Sequence, residues 1–201
     1  QSTAAHVLVA LDRVHSPGRA IDAAVEGPTA ESVASAQIAT ACTNAELTAS
    51  NANTAASAAV TNTVTETAFD KSFTIPAATL VAGSRLKVRA QAIATSTNST
   101  DTLTLKLYVG SVEIASTGAV DVANNDIGYI DADVIFRTVG ASGTLVGAWV
   151  QALGVPGTVT AKPFLKASGS VDTTAALAVT VKATWSVASA SNSVRLDVLT
   201  A

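Results

Sequence analysis

The feature that most constrains the fold is a period-two alternation of apolar and polar residues over residues 83–118. It continues on both sides of a polar turn, TSTNSTD, at residues 95–101. Side chains of a β-strand point alternately to its two faces, so each half predicts a strand with one buried and one solvated face. This pattern is typical of antiparallel sheets that cover a core on one side. The apolar faces consist of Leu86, Val88, Ala90 and Ala92 before the turn, and of Leu103, Leu105, Leu107 and Val109 after it.

Similar strand signals recur through the rest of the chain, separated by glycines and small polar residues. Short strands at this spacing, without a convincing helix between them, predict a β-sandwich or barrel. We predict an all-β, antiparallel, jelly-roll-like β-sandwich domain over residues 61–201. The further strand candidates are 65–75, 127–139, 144–153, 158–168, 176–187 and 193–200, and the inward face of 127–139 is Ile130, Ala132, Val134 and Phe136.

Residues 1–60 differ in composition from the rest, because all eight aromatic residues follow residue 68. A segment with so few bulky side chains cannot offset its own ordering entropy. We therefore predict an extended, largely irregular N-terminal arm, with a helix over 29–47 and a linker over 48–63. The arm keeps one apolar patch suited to anchoring, which consists of Val7, Leu8, Val9 and Leu11.

Charge and hydropathy exclude two classes of partner. The formal net charge is −3, so no basic excess is available to hold a nucleic-acid backbone. No apolar run approaches the roughly 18–20 residues that span a bilayer, which predicts no membrane partner.

The residue types of common active sites do not form a pattern. His6 and His15 both lie in the arm, away from any serine–acid arrangement, and Cys42 has no basic neighbour to activate it. The sequence therefore predicts no enzyme and no cofactor.

Three groups carry alternative interpretations. Asp121, Asp126, Asp131 and Asp133 supply calcium-type oxygen ligands, although their spacing matches no calcium-binding motif. The basic stripe Arg85, Lys87 and Arg89 suits sialic acid or an acidic partner, or simply a solvated strand face. Trp149 and Tyr129 suit sugar stacking or a subunit interface, and Trp149 also suits a buried position, because tryptophan is enriched both in cores and at interfaces.

Residues 64–201 also resemble a recurrent module of tailed-bacteriophage virion proteins. The resemblance rests on TIPAATLVAGS (74–84), LKVRAQA (86–92), STNSTDTLTLKLYVG (96–110) and VIFRTVGASGTL (134–145). It implies a jelly-roll module on a phage head, head fibre or tail fibre, commonly a homotrimer.

Together, the resemblance and the arm predict a virion structural protein, assembled in the bacterial cytoplasm. We expect a capsid decoration protein, either cement or head spike, whose arm attaches to the major capsid protein or another virion protein. The alternative is a tail-fibre or receptor-binding module that binds glycans. Segment 144–153 is apolar on both faces, which also favours self-association into a trimer.

Overall fold

The computed structural model of the chain describes residues 52–98, 100–155, 157 and 162–201. The apolar patch at 7–11, the helix predicted over 29–47, both histidines and Cys42 lie outside the described residues. In the described part, the strands are β1 (Val60–Thr61), β2 (Thr67–Ile75), β3 (Arg85–Thr95), β4 (Thr102–Val109), β5 (Val112–Ser116), β6 (Val120–Asp121), β7 (Asp126–Thr138), β8 (Gly143–Gly154), β9 (Lys162–Val171), β10 (Leu177–Trp185) and β11 (Ser193–Thr200).

The alternation of side chains produces the two-sided burial that it predicts. The four apolar residues of β4 are at most 2% exposed, while the residues between them are only half-buried. The predicted inward face of β7 is likewise at most 1% exposed. The two inner faces form one continuous core. The largest fully buried side chains include Trp185, Phe136, Leu103, Leu105, Leu107, Ile114, Ile130, Leu145, Leu196 and Leu199.

The strands form two antiparallel sheets packed as a sandwich, which confirms the predicted fold class. One sheet has the order β1-β11-β3-β7-β8-β9, and the other has the order β2-β10-β4-β5, with β6 also paired to β4. Four of the pairs are nested along the chain, as in one long hairpin: β4 with β5, β3 with β7, β2 with β10 and β1 with β11. Rolling such a hairpin onto itself yields the two sheets of a jelly roll.

The hairpin β8–β9 is an addition to this nested set. It joins the six-stranded sheet through β7, beyond the last strand of the roll. Its inner face packs against β5 of the other sheet. Close approach there depends on Gly169, since an added Cβ would lie 2.5 Å from Cγ1 of Val112.

The linker predicted over 48–63 is wrong for its described part. Residues 52–61 run along β11, where β1 pairs with Val194 and Ser193 and where Ala52 bridges to Thr200. Val60 is 6% exposed and Ser57 is 7% exposed. All of the described residues belong to the sandwich unit. Small polar residues serve here because they satisfy the edge of β11 with side-chain hydrogen bonds instead of apolar burial.

Candidate interaction surfaces

The basic stripe of β3 lies on the outer face of the six-stranded sheet, directly against acidic residues of β7. The register places Lys87 opposite Asp133 and Arg89 opposite Asp131. Arg85 donates two hydrogen bonds to Asp133, the one from Nε at 2.6 Å. This bidentate geometry is the strongest form of arginine–carboxylate pairing.

The second pair of this face includes a tyrosine. Oδ2 of Asp131 accepts hydrogen bonds from Arg89 at 3.2 Å and from the hydroxyl of Tyr129 at 2.8 Å. Burial raises the pKa of Tyr129, and the hydrogen bond to Asp131 raises it further. The hydrogen bond from Arg85 lowers the pKa of Asp133 below its ordinary value. Arg85 and Arg89 and their acidic neighbours therefore satisfy one another, whereas Lys87 is exposed and makes no ion pair with a described residue.

The four aspartates of the calcium alternative do not converge. Asp131 and Asp133 are paired with arginines, and Asp121 lies exposed on β6. Asp126 is 2% exposed and accepts a hydrogen bond from the backbone N–H of Ala123 at 2.9 Å. No group of three or more histidine, cysteine or acidic residues in the described ranges is placed to hold a metal ion.

The outer face of the five-stranded sheet carries its own closed charge network. Glu66 accepts ion-pair contacts from Lys106 and Lys182, each at 3.1 Å, and Lys106 also contacts Glu113 at 3.2 Å. The ammonium of Lys182 lies 4.2 Å from the ring centroid of Tyr108, a cation–π geometry. Burial alone raises the pKa of Glu66, but the hydrogen bonds from Lys182 and Lys106 lower it overall. This face thus presents paired charges to water.

The outer face of β8 and β9 is apolar instead. Val146, Val150 and Ala152 are half-buried there, and Ala148 is exposed. Leu165 of β9 lies opposite Ala148 and is 72% exposed. A strip of apolar side chains therefore flanks the ion pairs on the same sheet.

The two predicted stacking residues lie on opposite faces of the sheet and do not form one platform. Tyr129 pairs with Ala152 on the outer face, whereas Trp149 packs inward against the core. The rings of Trp149 and Phe164 are stacked, with centroids 5.4 Å apart and planes 15° apart. Phe164 is 41% exposed. Nε1 of Trp149 and Oε1 of Gln151 are buried and make no hydrogen bond.

One buried polar cluster was not anticipated from the sequence. Asp101 and Asn192 are both 0% exposed, and Nδ2 of Asn192 donates to Oδ2 of Asp101 at 2.8 Å. Nδ2 of Asn98 donates to the other carboxylate oxygen at 3.0 Å, and Ser96 donates to Oδ1 of Asn192 at 2.8 Å. Ser96, Asn98 and Asp101 lie in the polar turn at 95–101, whose composition marks them as turn residues. No local pattern points to Asn192, which is 91 residues from Asp101. The cluster joins two loops at one end of the sandwich.

The described part of the chain contains no histidine and no cysteine. It also includes no helix with the length and apolarity that a membrane crossing needs. Comparison with known proteins found no matching family model and no matching curated protein. The resemblance to phage virion modules therefore stays a prediction.

Proposed function

We propose that this chain is a non-catalytic structural protein of a bacteriophage virion, specifically a capsid decoration protein. One observation carries the proposal: most of the charges on the outer face of each sheet are paired within that face, while one strip of the surface is apolar. Such a surface is suited to packing against other proteins rather than to holding a small polar substrate. The motif resemblance over residues 64–201 supports the assignment to a virion.

The partners proposed for this function are further copies of the chain and a shell protein. Residues 1–60 carry five acidic and two basic residues, whereas residues 61–201 carry ten of each. The acidic excess lies in the arm, which favours a basic shell surface. The patch Val7, Leu8, Val9 and Leu11 suits strand addition to an exposed sheet edge of the major capsid protein or another virion protein. A homotrimer would bring three arms together and raise the avidity of each weak contact.

Location on the particle tests this proposal. Gold-labelled antibody against the sandwich should mark the heads of intact virions. Labelling of the tail would overturn the decoration role and favour the alternative, and absence from purified virions would overturn the virion assignment altogether.

A glycan-binding tail-fibre module is the second candidate, and the stacked pair Trp149–Phe164 favours it. A stacked aromatic pair in which one ring is exposed resembles the aromatic lining of ligand sites. Glycan-array binding that is lost in Phe164→Ala would support this candidate. Phe164 is a better probe than Trp149 because the indole also packs against the core.

A further inference from the structure

We propose that the outer face of the β8–β9 hairpin is the surface through which copies of this chain associate. The number of copies, three, rests on the proposed function, whereas the location of the contact rests on the structure alone.

The first argument is the position of the hairpin in the fold. The nested strand pairs close the roll without β8 and β9. The hairpin contributes two of the six strands of its sheet, of 12 and 10 residues. Its inner face packs against the other sheet, which accounts for the burial of Leu145 and Leu153. The core does not account for the apolar residues on its outer face.

The second argument is the continuity of that outer face across the strands. The register places Val146 opposite Ile135 of β7, Ala148 opposite Leu165 and Val150 opposite Pro163. Directly opposite residues share a face, so these side chains form one strip. Leu165 projects beside the small side chain of Ala148, a relief into which a second copy can pack.

The third argument is size and surroundings. The outer face of β3, β7, β8 and β9 is about 35 Å by 19 Å, from a rise of ~3.3 Å per residue and a strand spacing of ~4.8 Å. The resulting area, roughly 650 Å² when the charged rim on β3 and β7 is included with the hairpin, approaches the ~800 Å² that each partner buries in a standard interface. The strip is bordered by Arg85–Asp133 and Arg89–Asp131, which gives an apolar centre with a polar rim.

The paired arginines of this rim allow another copy of the chain to approach. Both arginines are paired with aspartates of the same sheet, so they add little like-charge repulsion between two such faces. Lys87, which makes no ion pair with a described residue, lies on β3, two strands away from β8. Pro163, which has no N–H, blunts the free edge of β9, so contact through the face is favoured over continuation of the sheet.

The test is Leu165→Glu, measured by size-exclusion chromatography with light scattering at micromolar concentration. Leu165 is 72% exposed, so a charge there should leave the fold intact, as circular dichroism can verify. Wild type is expected at three times the chain mass of 20.0 kDa, and Leu165→Glu at the mass of a monomer. Val81→Glu is the matched control, because Val81 is 67% exposed and lies outside this face. The Val81→Glu variant should stay trimeric.

A monomeric wild type would overturn the inference, as would a Leu165→Glu variant that remains fully associated. A wild-type dimer that Leu165→Glu separates would support the surface but overturn the trimer of the proposed function. Head labelling of virions is independent of this result, so failure of the interface and failure of the virion role are distinguishable.

A second measurement locates the contact by chemistry. In a Cys42→Ser background, Leu165→Cys should be joined between copies by a short bismaleimide, and Val81→Cys should not. Equal cross-linking of both variants would contradict the proposed surface.

Discussion

Gly169 is the residue at which the added hairpin meets the second sheet. A methyl group at this position would lie 2.5 Å from Cγ1 of Val112, a β-branched side chain with little freedom to move. We expect Gly169→Ala to lower the free energy of unfolding by about 1–3 kcal/mol, as overpacked sites do. Urea denaturation checks this, with the exposed neighbour Ser170→Ala as control. Equal stability of the two variants would show that β9 and β5 separate at little cost.

The pair Arg85–Asp133 leads to a pH prediction. The hydrogen bond from Arg85 lowers the pKa of Asp133 from its ordinary 3.8, so the stabilisation is present above that pH and is lost as the pH falls through the lower folded-state value. The effect on stability is small because the side chain of Arg85 is 60% exposed. The clearer measurement is the carboxyl pKa itself, by NMR titration. It should rise in Arg85→Gln and stay unchanged in Arg195→Gln, which removes a different ion pair.

At the scale of elements, the edge of β11 is completed by side chains. Oδ1 of Asn53 accepts a hydrogen bond from the backbone N–H of Leu199 at 2.6 Å, and its Nδ2 donates to the carbonyl of Asp197 at 3.0 Å. Ser57 accepts one from the N–H of Leu196 at 2.9 Å. These bonds hold the start of the sandwich to the strand that ends it.

Removal of the Asn53 side chain should therefore destabilise the whole sandwich. We expect Asn53→Ala to cost about 1–2 kcal/mol, because it leaves the partly buried N–H of Leu199 without its partner. Thermal unfolding of Asn53→Ala beside Thr54→Ala, an exposed neighbour, is the measurement. A similar midpoint for both variants would mean that water replaces the asparagine at no cost.

The contrast between the regular strands and the segment around Asn53 shows what the sequence can predict. Strands such as β4 and β10 can be predicted because burial of one face requires an apolar residue at every second position. The pairing of the segment around Asn53 with β11 cannot be predicted in this way, since hydrogen bonds from small side chains require no periodic pattern in the sequence. Arg85 and Asp133 are 48 residues apart in the sequence. Their pairing depends on the register between β3 and β7, which no local pattern specifies. The inward orientation of Trp149 likewise depends on which face of β8 packs against the other sheet, because both faces of this segment are apolar in the sequence.

Over the whole molecule, charge divides between the arm and the sandwich. Residues 61–201 carry equal numbers of acids and bases, so the net charge of −3 comes from residues 1–60. Long-range attraction to a basic surface would thus act through the arm, and salt would weaken it.

Deletion of residues 1–47 tests whether the arm attaches the protein to the shell. The truncated chain keeps Asn53 and Ser57, so it should fold and associate like the full chain. We expect it to lose binding to purified, undecorated capsids, because it lacks both the apolar patch at residues 7–11 and the acidic excess. Co-sedimentation at two salt concentrations measures this, and the full-length chain should bind more weakly at the higher one. Truncated protein that decorates capsids as well as the full chain would show that the sandwich itself holds the shell.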